Sequence, residues 1–239
     1  MLLYIIRHGD PIYETDSLTS RGARQAEALS RRLALNGIDE IYSSPLKRAV
    51  LTAKPAADVL KLEINIEEWM SEDNAWKDFS VKNEKGNNEW FFSCAGSAFL
   101  EGGDILRQDW YNHKEAANCL TAKKGYERIQ AASDEFIQRL GYKREGNIYK
   151  ALAPSAAPNK KRIAAFCHHG LGTSWLSHLL SIPPLLFWAS FNISHTGVSI
   201  LEFANSEDGI TSPKCLVHSD LSHIYEARLP MEYNNGIKI

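Results

Sequence analysis

Hydrophobic and polar positions along the chain alternate between short apolar runs and longer amphipathic stretches. The apolar run at residues 2–6 is typical of a strand buried on both faces. In residues 19–37, alanine and leucine recur at helical spacing, which predicts a helix with Thr19 as its N-cap and Gly37 as its stop. The pattern continues with a strand, a helix and a strand at residues 40–42, 43–60 and 62–66. This order of elements is typical of a parallel α/β sheet.

The same order resumes in the second half of the chain. Helices are predicted at residues 126–140 and 171–181, and strands at residues 162–167, 198–203 and 215–218. A loop is predicted at residues 141–158, because this segment contains two glycines and two prolines. We therefore expect a three-layer α/β/α fold with a mostly parallel central sheet.

Residues 74–124 interrupt this order. They are polar and lack helix or strand periodicity, yet they are rich in aromatic side chains, and a long segment of this kind is more often folded than a linker. Its aromatic residues include Trp76, Phe79, Trp90, Phe91, Phe92, Trp110 and Tyr111. We interpret residues 1–239 as a single domain, with a cap inserted at about residues 74–124 over the carboxyl edge of the sheet.

The composition narrows the classes of function. The chain has 239 residues, 44% of them hydrophobic and 23% charged, and a net charge of −2. Without a basic surplus, it is not expected to bind nucleic acid or an acidic membrane. We recognise neither a signal peptide nor an apolar run of membrane-spanning length. The four cysteines are widely spaced and form no Cys-x-x-Cys, so we expect reduced thiols and a cytoplasmic protein.

Basic side chains follow two of the predicted strands. The first strand runs into Arg7, His8 and Gly9. The strand at residues 162–167 runs into a pair of histidines followed by a glycine, and Arg48 lies early in the helix after another strand. Ligands of parallel α/β sheets bind at this edge, where an arginine fork suits phosphate oxygens and an imidazole can attack phosphorus. The structural alternative is an arginine that binds strand-end carbonyls beside a partly buried histidine.

Three motifs strengthen the phosphate interpretation. RHG ends the first strand, LTSRGARQA lies in the following helix, and SSPLKRAVLTA follows the second strand. In this order they resemble the histidine phosphatase superfamily, which includes the cofactor-dependent phosphoglycerate mutases. The resemblance covers roughly residues 1–76 and 160–226. It implies that His8 is the nucleophile that becomes phosphohistidine, and that Arg7 and Arg48 bind the phosphate.

The resemblance also implies a carboxylic acid shortly after the third strand, in a Leu-x-Glu pattern, which protonates the leaving group. Met70 takes the leucine position here, so Glu72 is our candidate for the proton donor. The neighbouring Glu68 and Asp73 remain alternatives. The structural alternative for Glu72 is a solvated loop carboxylate.

The second histidine of the family pattern falls on a pair of adjacent histidines, His168 and His169. The family tends to place a small residue at the sixth position after its histidine. Counted from His168, this position is Ser174. Counted from His169, it is the bulky Trp175. We therefore assign the second histidine of the family pattern to His168.

The remaining histidines are not expected to react. His223 lies in a stretch that resembles the family's closing Asp-x-Ser-His motif, and we expect it to pack or hydrogen-bond near the rim of the site. Asp10 is expected to organise the loop that follows His8. The histidines that we interpret as structural or surface residues are His113, His178, His195 and His218.

The resemblance implies a phosphomonoester hydrolase that acts through a phosphohistidine on a small phosphorylated metabolite. It implies no metal and no cofactor, since arginines and histidines supply the positive charge. A phosphoglycerate mutase is one alternative, although the loop at residues 11–18 is short and the Gly-Glu-Ser stretch of the mutases is absent. A non-catalytic phospholigand-binding protein and a histidine phosphoprotein phosphatase are the others. We expect a monomer or a homodimer.

Overall fold

The computed structural model describes residues 1–93, 96–100, 109–152, 159–204 and 208–231. Its strands are β1 (Leu2–Arg7), β2 (Pro11–Ile12), β3 (Ser17–Leu18), β4 (Glu40–Ser43), β5 (Ile64–Ile66), β6 (Ser80–Lys82), β7 (Asn88–Trp90), β8 (Tyr142–Glu145), β9 (Ile148–Ala151), β10 (Arg162–Cys167), β11 (Val198–Glu202), β12 (Ile210–Thr211) and β13 (Lys214–Asp220). Its helices are α1 (Ser20–Asn36), α2 (Lys47–Leu60), α3 (Glu72–Phe79), α4 (Gly96–Leu100), α5 (Lys114–Ala117), α6 (Ala122–Arg139), α7 (His169–Leu180), α8 (Pro184–Ser190) and α9 (Ser222–Glu226).

Six strands form the central sheet, in the order β13–β11–β1–β10–β4–β5. Strands β1, β10, β4 and β5 are parallel to one another, whereas β11 runs antiparallel to both of its neighbours. The register pairs Arg7 with Cys167, so the residues that follow them, His8 and His168, leave adjacent strands side by side. The expected mostly parallel sheet is confirmed.

Alternation along β1 shows that the sheet is covered on both faces. Leu3 and Ile5 belong to a buried cluster that includes side chains of α6 and α7. Tyr4 and Ile6 belong to a second buried cluster, with side chains of α1 and α2. Burial of apolar surface on both faces stabilises such a sheet, and the predicted α/β/α layers are confirmed.

Helix α1 begins and ends as its sequence predicts. The Thr19 hydroxyl accepts a hydrogen bond from the Gly22 N–H at 3.0 Å, and Gly37 ends the helix with a φ of 75°. The first turn lies directly against the loop after β1, because a Cβ at Gly22 would collide with the Asp10 carbonyl. A Cβ at Gly9 would lie 2.9 Å from the Gly22 carbonyl oxygen. Glycine at both positions therefore permits close packing of this loop on the helix.

The prediction of a loop throughout residues 141–158 is wrong for its first half. Strands β8 and β9 form an antiparallel hairpin in which Glu145 pairs with Ile148. The connection is the two-residue Gly146–Asn147 turn, and Gly146 has a φ of 63°, which glycine adopts without a steric penalty. Tyr142 and Tyr149 are buried on one face of the hairpin. The alternation of buried and exposed side chains therefore determines the structure here, and the glycines do not prevent strand formation. Residues 153–158 lie outside the described part of the chain.

The aromatic segment at residues 74–124 has local structure of its own. It contains most of α3, the β6–β7 hairpin, α4 and α5, and its residues 94, 95 and 101–108, including Cys94, lie outside the described residues. Phe91 and Phe92 pack against Trp188 of α8, with ring centres 5.1 and 4.9 Å apart, which attaches the segment to the body of the molecule. Of the helices that the structure describes, none is both long and apolar enough to cross a membrane.

Candidate active site

Three adjacent strands of the sheet end at one place. His8 follows β1, His168 follows β10 and Ser44 follows β4. Hydrogen bonds from the His8 N–H to the Cys167 carbonyl and from the Ser44 N–H to the Phe166 carbonyl, both 2.9 Å long, continue the ladder one step beyond the strands. The backbone of this edge is therefore fixed by the sheet.

His8 is buried and held in one tautomer. Its Nδ1 lies 2.7 Å from the carbonyl oxygen of Gly9, and because a carbonyl only accepts, Nδ1 carries the proton. In the described structure Nε2 takes no hydrogen bond, so its lone pair is available. Burial, followed by the charge of Arg7, holds the pKa of His8 well below its usual value. The ring is therefore neutral, which is the form that acts as a nucleophile.

His168 lies beside His8. The two ring centres are 5.1 Å apart, and His168 Nε2 hydrogen-bonds the Ser44 hydroxyl at 2.7 Å. Burial and the neighbouring His8 hold the pKa of His168 well below its usual value. His169 is the first residue of α7 and, among the described ring contacts, has none with His8. Of the two histidines, it is His168 that the fold brings against His8.

Arg7 and Arg48 both point into this edge of the sheet and are only 8% and 7% exposed. The Arg7 guanidinium donates from Nη1 to the Ile193 carbonyl at 2.6 Å. Arg48 donates from Nη1 to Asp16 Oδ1, also at 2.6 Å. Asp16 has a left-handed φ of 46° in the short turn after β2, a conformation that aspartate adopts more readily than most residues. The loop after His8 therefore supplies the counter-charge of the second arginine.

Glu72 occupies the first position of α3 and is only 9% exposed. Its two carboxylate oxygens accept hydrogen bonds from the backbone N–H groups of Gly170 and Leu171, at 2.8 and 3.0 Å. Burial raises the pKa of Glu72, although these two N–H groups and the charge of Arg7 oppose the rise. The alternative carboxylates, Glu68 and Asp73, are exposed.

Unpartnered polar atoms concentrate at the same place. Among the described residues, seven buried side-chain nitrogen or oxygen atoms lack a hydrogen-bond partner. Five of them are nitrogens of Arg7, Arg48, His168, His169 and His195. Buried polar groups are normally paired, and the arginine nitrogens are donors only, so the cluster is complementary to an anion. Within the part of the chain that is described, histidines, cysteines and carboxylates form no group of three or more that could hold a metal ion.

His195, interpreted from the sequence as a structural or surface residue, lies beside the candidate nucleophile. Its ring centre lies 5.5 Å from that of His8, and its Nδ1 lies 3.7 Å from Asp10 Oδ1. The reason is the direction of β11, which pairs Ile6 with Val198 in antiparallel fashion. The amino end of β11 therefore lies at the carboxyl end of β1, and residues just before Val198 reach the site.

Three of the other histidines have partners of their own. His178 Nε2 lies 2.7 Å from Asp134 Oδ1, His113 accepts from the Glu115 N–H, and His218 Nε2 lies 3.0 Å from the Asn192 carbonyl. His223 is buried and its Nε2 hydrogen-bonds the Thr196 hydroxyl at 3.1 Å, one residue from His195. This arrangement agrees with the expectation that His223 hydrogen-bonds near the rim of the site.

Comparisons with known proteins agree with the fold and the motifs. Residues 3–95 match the model of the histidine phosphatase superfamily (branch 1). Phosphoserine phosphatase 1 of Hydrogenobacter thermophilus is 47% identical over 47 residues, which span 20% of this chain and 22% of that protein. The predicted resemblance to this superfamily is therefore confirmed over residues 3–95.

Solved structures show the same fold over nearly the whole chain. A phosphoserine phosphatase from Entamoeba histolytica, in complex with 3-phosphoglyceric acid, superposes with a TM-score of 0.59 at 20% identity, covering 93% of this chain and 98% of that one. The alpha-ribazole phosphatase from Shigella flexneri has a TM-score of 0.57 at 16% identity, covering 98% and 100%.

The buried histidines predict how stability depends on pH. Burial lowers the pKa values of His169 and His223 to about 4 and that of His195 to about 3. Below the unfolded value of about 6.5 the unfolded chain binds more protons, so stability should be full above that pH and fall as the pH drops toward 4. Each histidine should contribute roughly 1 kcal/mol per pH unit in this window. Urea unfolding at pH 7 and pH 5 measures the loss. His169→Asn, which has no group to titrate, should lose less stability than the native chain, and an equal loss would contradict the assignment.

Proposed function

We propose that the protein hydrolyses phosphomonoesters of small metabolites through a phosphohistidine formed on His8. The observation that carries the proposal is the state of His8: the hydrogen bond from Nδ1 to the Gly9 carbonyl leaves Nε2 unprotonated in a buried, positively charged pocket. An imidazole in this state is a nucleophile, and the surrounding cations favour the anionic group that it would attack.

In the first step, His8 Nε2 attacks phosphorus in line with the ester oxygen. The bond from Nε2 to phosphorus forms while the bond from phosphorus to the ester oxygen breaks. Arg7, Arg48 and His168 act on the equatorial oxygens, over which the transition-state charge is spread. The unpartnered Nε atoms of the two arginines and Nδ1 of His168 support this role, because each lacks a partner within the described residues.

Glu72 acts as the acid and then as the base. Burial raises its pKa, which favours the protonated form that gives its proton to the departing alkoxide. The resulting carboxylate accepts a proton from the water that attacks the phosphohistidine, and the hydrogen bonds from Gly170 and Leu171 stabilise it in that state. Hydrolysis of the phosphohistidine releases phosphate and restores His8.

The aromatic segment at residues 74–124 acts as a cap that favours small substrates. Its Trp90 reaches the amino end of α7, where a Cβ at Gly170 would lie 2.6 Å from the Trp90 ring. Gly170 also donates its N–H to Glu72, so the cap lies next to the acid that serves the leaving group. A small phosphorylated metabolite fits this restriction, and similar proteins include a phosphoserine phosphatase and an alpha-ribazole phosphatase.

The cysteines support a reducing location for this activity. Cys119, Cys167 and Cys215 are free thiols in the described structure, and burial raises the pKa values of all three. Unpaired cysteines are typical of proteins in a reducing compartment. We assign the protein to the cytoplasm on this basis.

His8→Ala should abolish turnover without loss of the fold. The variant lacks the nitrogen that receives the phosphoryl group, so ³²P-labelled substrate should leave an acid-labile label on the native protein and none on the variant. His113→Ala, in which a histidine that caps α5 is lost, serves as the control and should label normally. Equal labelling of the native protein and His8→Ala would contradict the assignment of the nucleophile.

His168→Ala should reduce kcat far more than His169→Ala. Loss of a preorganised group that stabilises transition-state charge typically costs on the order of 100-fold or more in rate. His169 has no ring contact with His8 among the described contacts, and its removal should cost much less. Steady-state kinetics of the two variants, prepared in parallel, test this, and a larger loss for His169→Ala would reverse the assignment.

Glu72→Gln should slow substrates according to how poor their leaving group is. The amide cannot donate a proton to the departing oxygen, so an alkyl phosphate should be slowed severely and nitrophenyl phosphate less. Glu68→Gln and Asp73→Asn are the matched controls, since both carboxylates are exposed. Leaving-group dependence in either control, with none in Glu72→Gln, would place the acid elsewhere.

A further inference from the structure

Two histidines, one on each side, flank the candidate nucleophile. The ring of His8 lies 5.1 Å from that of His168 and 5.5 Å from that of His195, centre to centre. His195 reaches this place from the loop before β11, whereas His168 comes from the end of β10. The motifs of the sequence account for His168 but assign nothing to His195.

The two ring nitrogens of His195 differ in their surroundings. Nδ1 lies 3.7 Å from Asp10 Oδ1. The carboxylate of Asp10 is itself held by hydrogen bonds from the Thr19 hydroxyl at 2.6 Å and from Arg21 at 2.8 Å. Nε2 is buried and has no hydrogen-bond partner within the described residues. A buried nitrogen of this kind is normally paired, with an acceptor when it carries a proton and with a donor when it does not.

The residue that follows His195 has a strained backbone conformation. Thr196 has a φ of 55°, a left-handed conformation that is rare for a β-branched residue. Its N–H lies 3.1 Å from the Arg7 carbonyl and 3.2 Å from the His8 carbonyl, which ties the turn directly to the end of β1. Strain of this type persists where the surrounding structure fixes it, and it is concentrated at functional sites.

The charges around His195 favour an anion near Nε2. Burial and then the charge of Arg7 lower its pKa to about 3, with Asp10 opposing and Arg21 and His169 adding to the effect. The ring is therefore neutral in the unliganded pocket. A phosphoryl dianion beside it would favour the imidazolium, which donates from both nitrogens.

We propose that His195 is a third imidazole of the phosphoryl pocket, whose Nε2 donates a hydrogen bond to a phosphoryl oxygen while the nearby Asp10 carboxylate favours a proton on Nδ1. This inference rests on the proposed function, since it adds a binding residue to Arg7, Arg48 and His168. The competing explanation is structural: His195 serves only to hold the loop through Nδ1 and Asp10.

Three substitutions of His195 separate these explanations. A glutamine amide nitrogen approximates the position of Nε2, whereas an asparagine amide nitrogen approximates that of Nδ1. The probe is inorganic phosphate, with its Kd measured by titration calorimetry, alongside KM and kcat for nitrophenyl phosphate. Loss of a hydrogen bond to a charged group should weaken phosphate binding by about 10- to 100-fold in His195→Ala and His195→Asn. His195→Gln should restore most of the affinity.

A second histidine controls for loosening of the same loop. His218 Nε2 lies 3.0 Å from the carbonyl of Asn192, in the loop that carries His195, so His218→Ala disturbs the loop and leaves the pocket nitrogens in place. This variant should bind phosphate as the native protein does. Rescue by asparagine rather than glutamine, unchanged phosphate affinity in His195→Ala, or an equal loss in His218→Ala would each overturn the proposal.

The same measurements distinguish failure of this inference from failure of the proposed function. A native protein that hydrolyses nitrophenyl phosphate, with His195→Ala variants that bind phosphate normally, overturns only the role of His195. A native protein that binds phosphate through His195 without any turnover supports the binding role and contradicts the hydrolase. A native protein that neither binds phosphate nor hydrolyses the ester overturns both.

Discussion

The burial of two guanidinium groups among several imidazoles is the constraint on which the site depends. A charge removed from water is costly unless it is paired, and within the described residues Arg48 forms an ion pair, with Asp16, whereas Arg7 forms none. Arg7 is held by the Ile193 carbonyl instead, so positive charge exceeds negative charge in the pocket. Burial first, and then the neighbouring positive or titratable groups, hold the pKa values of His8 and His168 well below their usual range. Burial of these groups thus keeps the candidate nucleophile neutral and leaves a pocket that favours a dianion.

Two opposing effects act on the protonation of Glu72, the candidate acid. Burial of Glu72 favours its neutral form, while the first N–H groups of α7 favour its carboxylate. A group that must give up a proton and then take one back requires both forms to be accessible. The same helix begins directly after His168, so the start of α7 lies next to both the candidate acid and the second histidine.

Local patterns and family motifs in the sequence predict part of the candidate site. They do not predict the residues that only the tertiary fold brings to it. The apolar runs predict the strands, and the basic residues that follow them indicate His8, Arg7 and His168 as candidates. Glu72 depends on a motif position, since nothing local distinguishes it from exposed neighbours. His195 is missed because the antiparallel direction of β11 is not encoded in any short pattern. Asp16 is missed because its contact with Arg48 arises from a left-handed turn.

The proposed mechanism assigns the chemistry and the surroundings of the substrate to different parts of the chain. His8, His168 and the arginines are fixed by the sheet and its first flanking helices, and Glu72 is bound to the start of α7. The aromatic insertion contacts this part of the chain through the Trp90 side chain, which lies against Gly170 at the start of α7. Within the described residues, the part of that segment beyond α3 contains no strand of the central sheet and none of the candidate catalytic residues. Under the proposed mechanism, substrate preference is therefore able to change through this part of the insertion while the reacting groups stay the same.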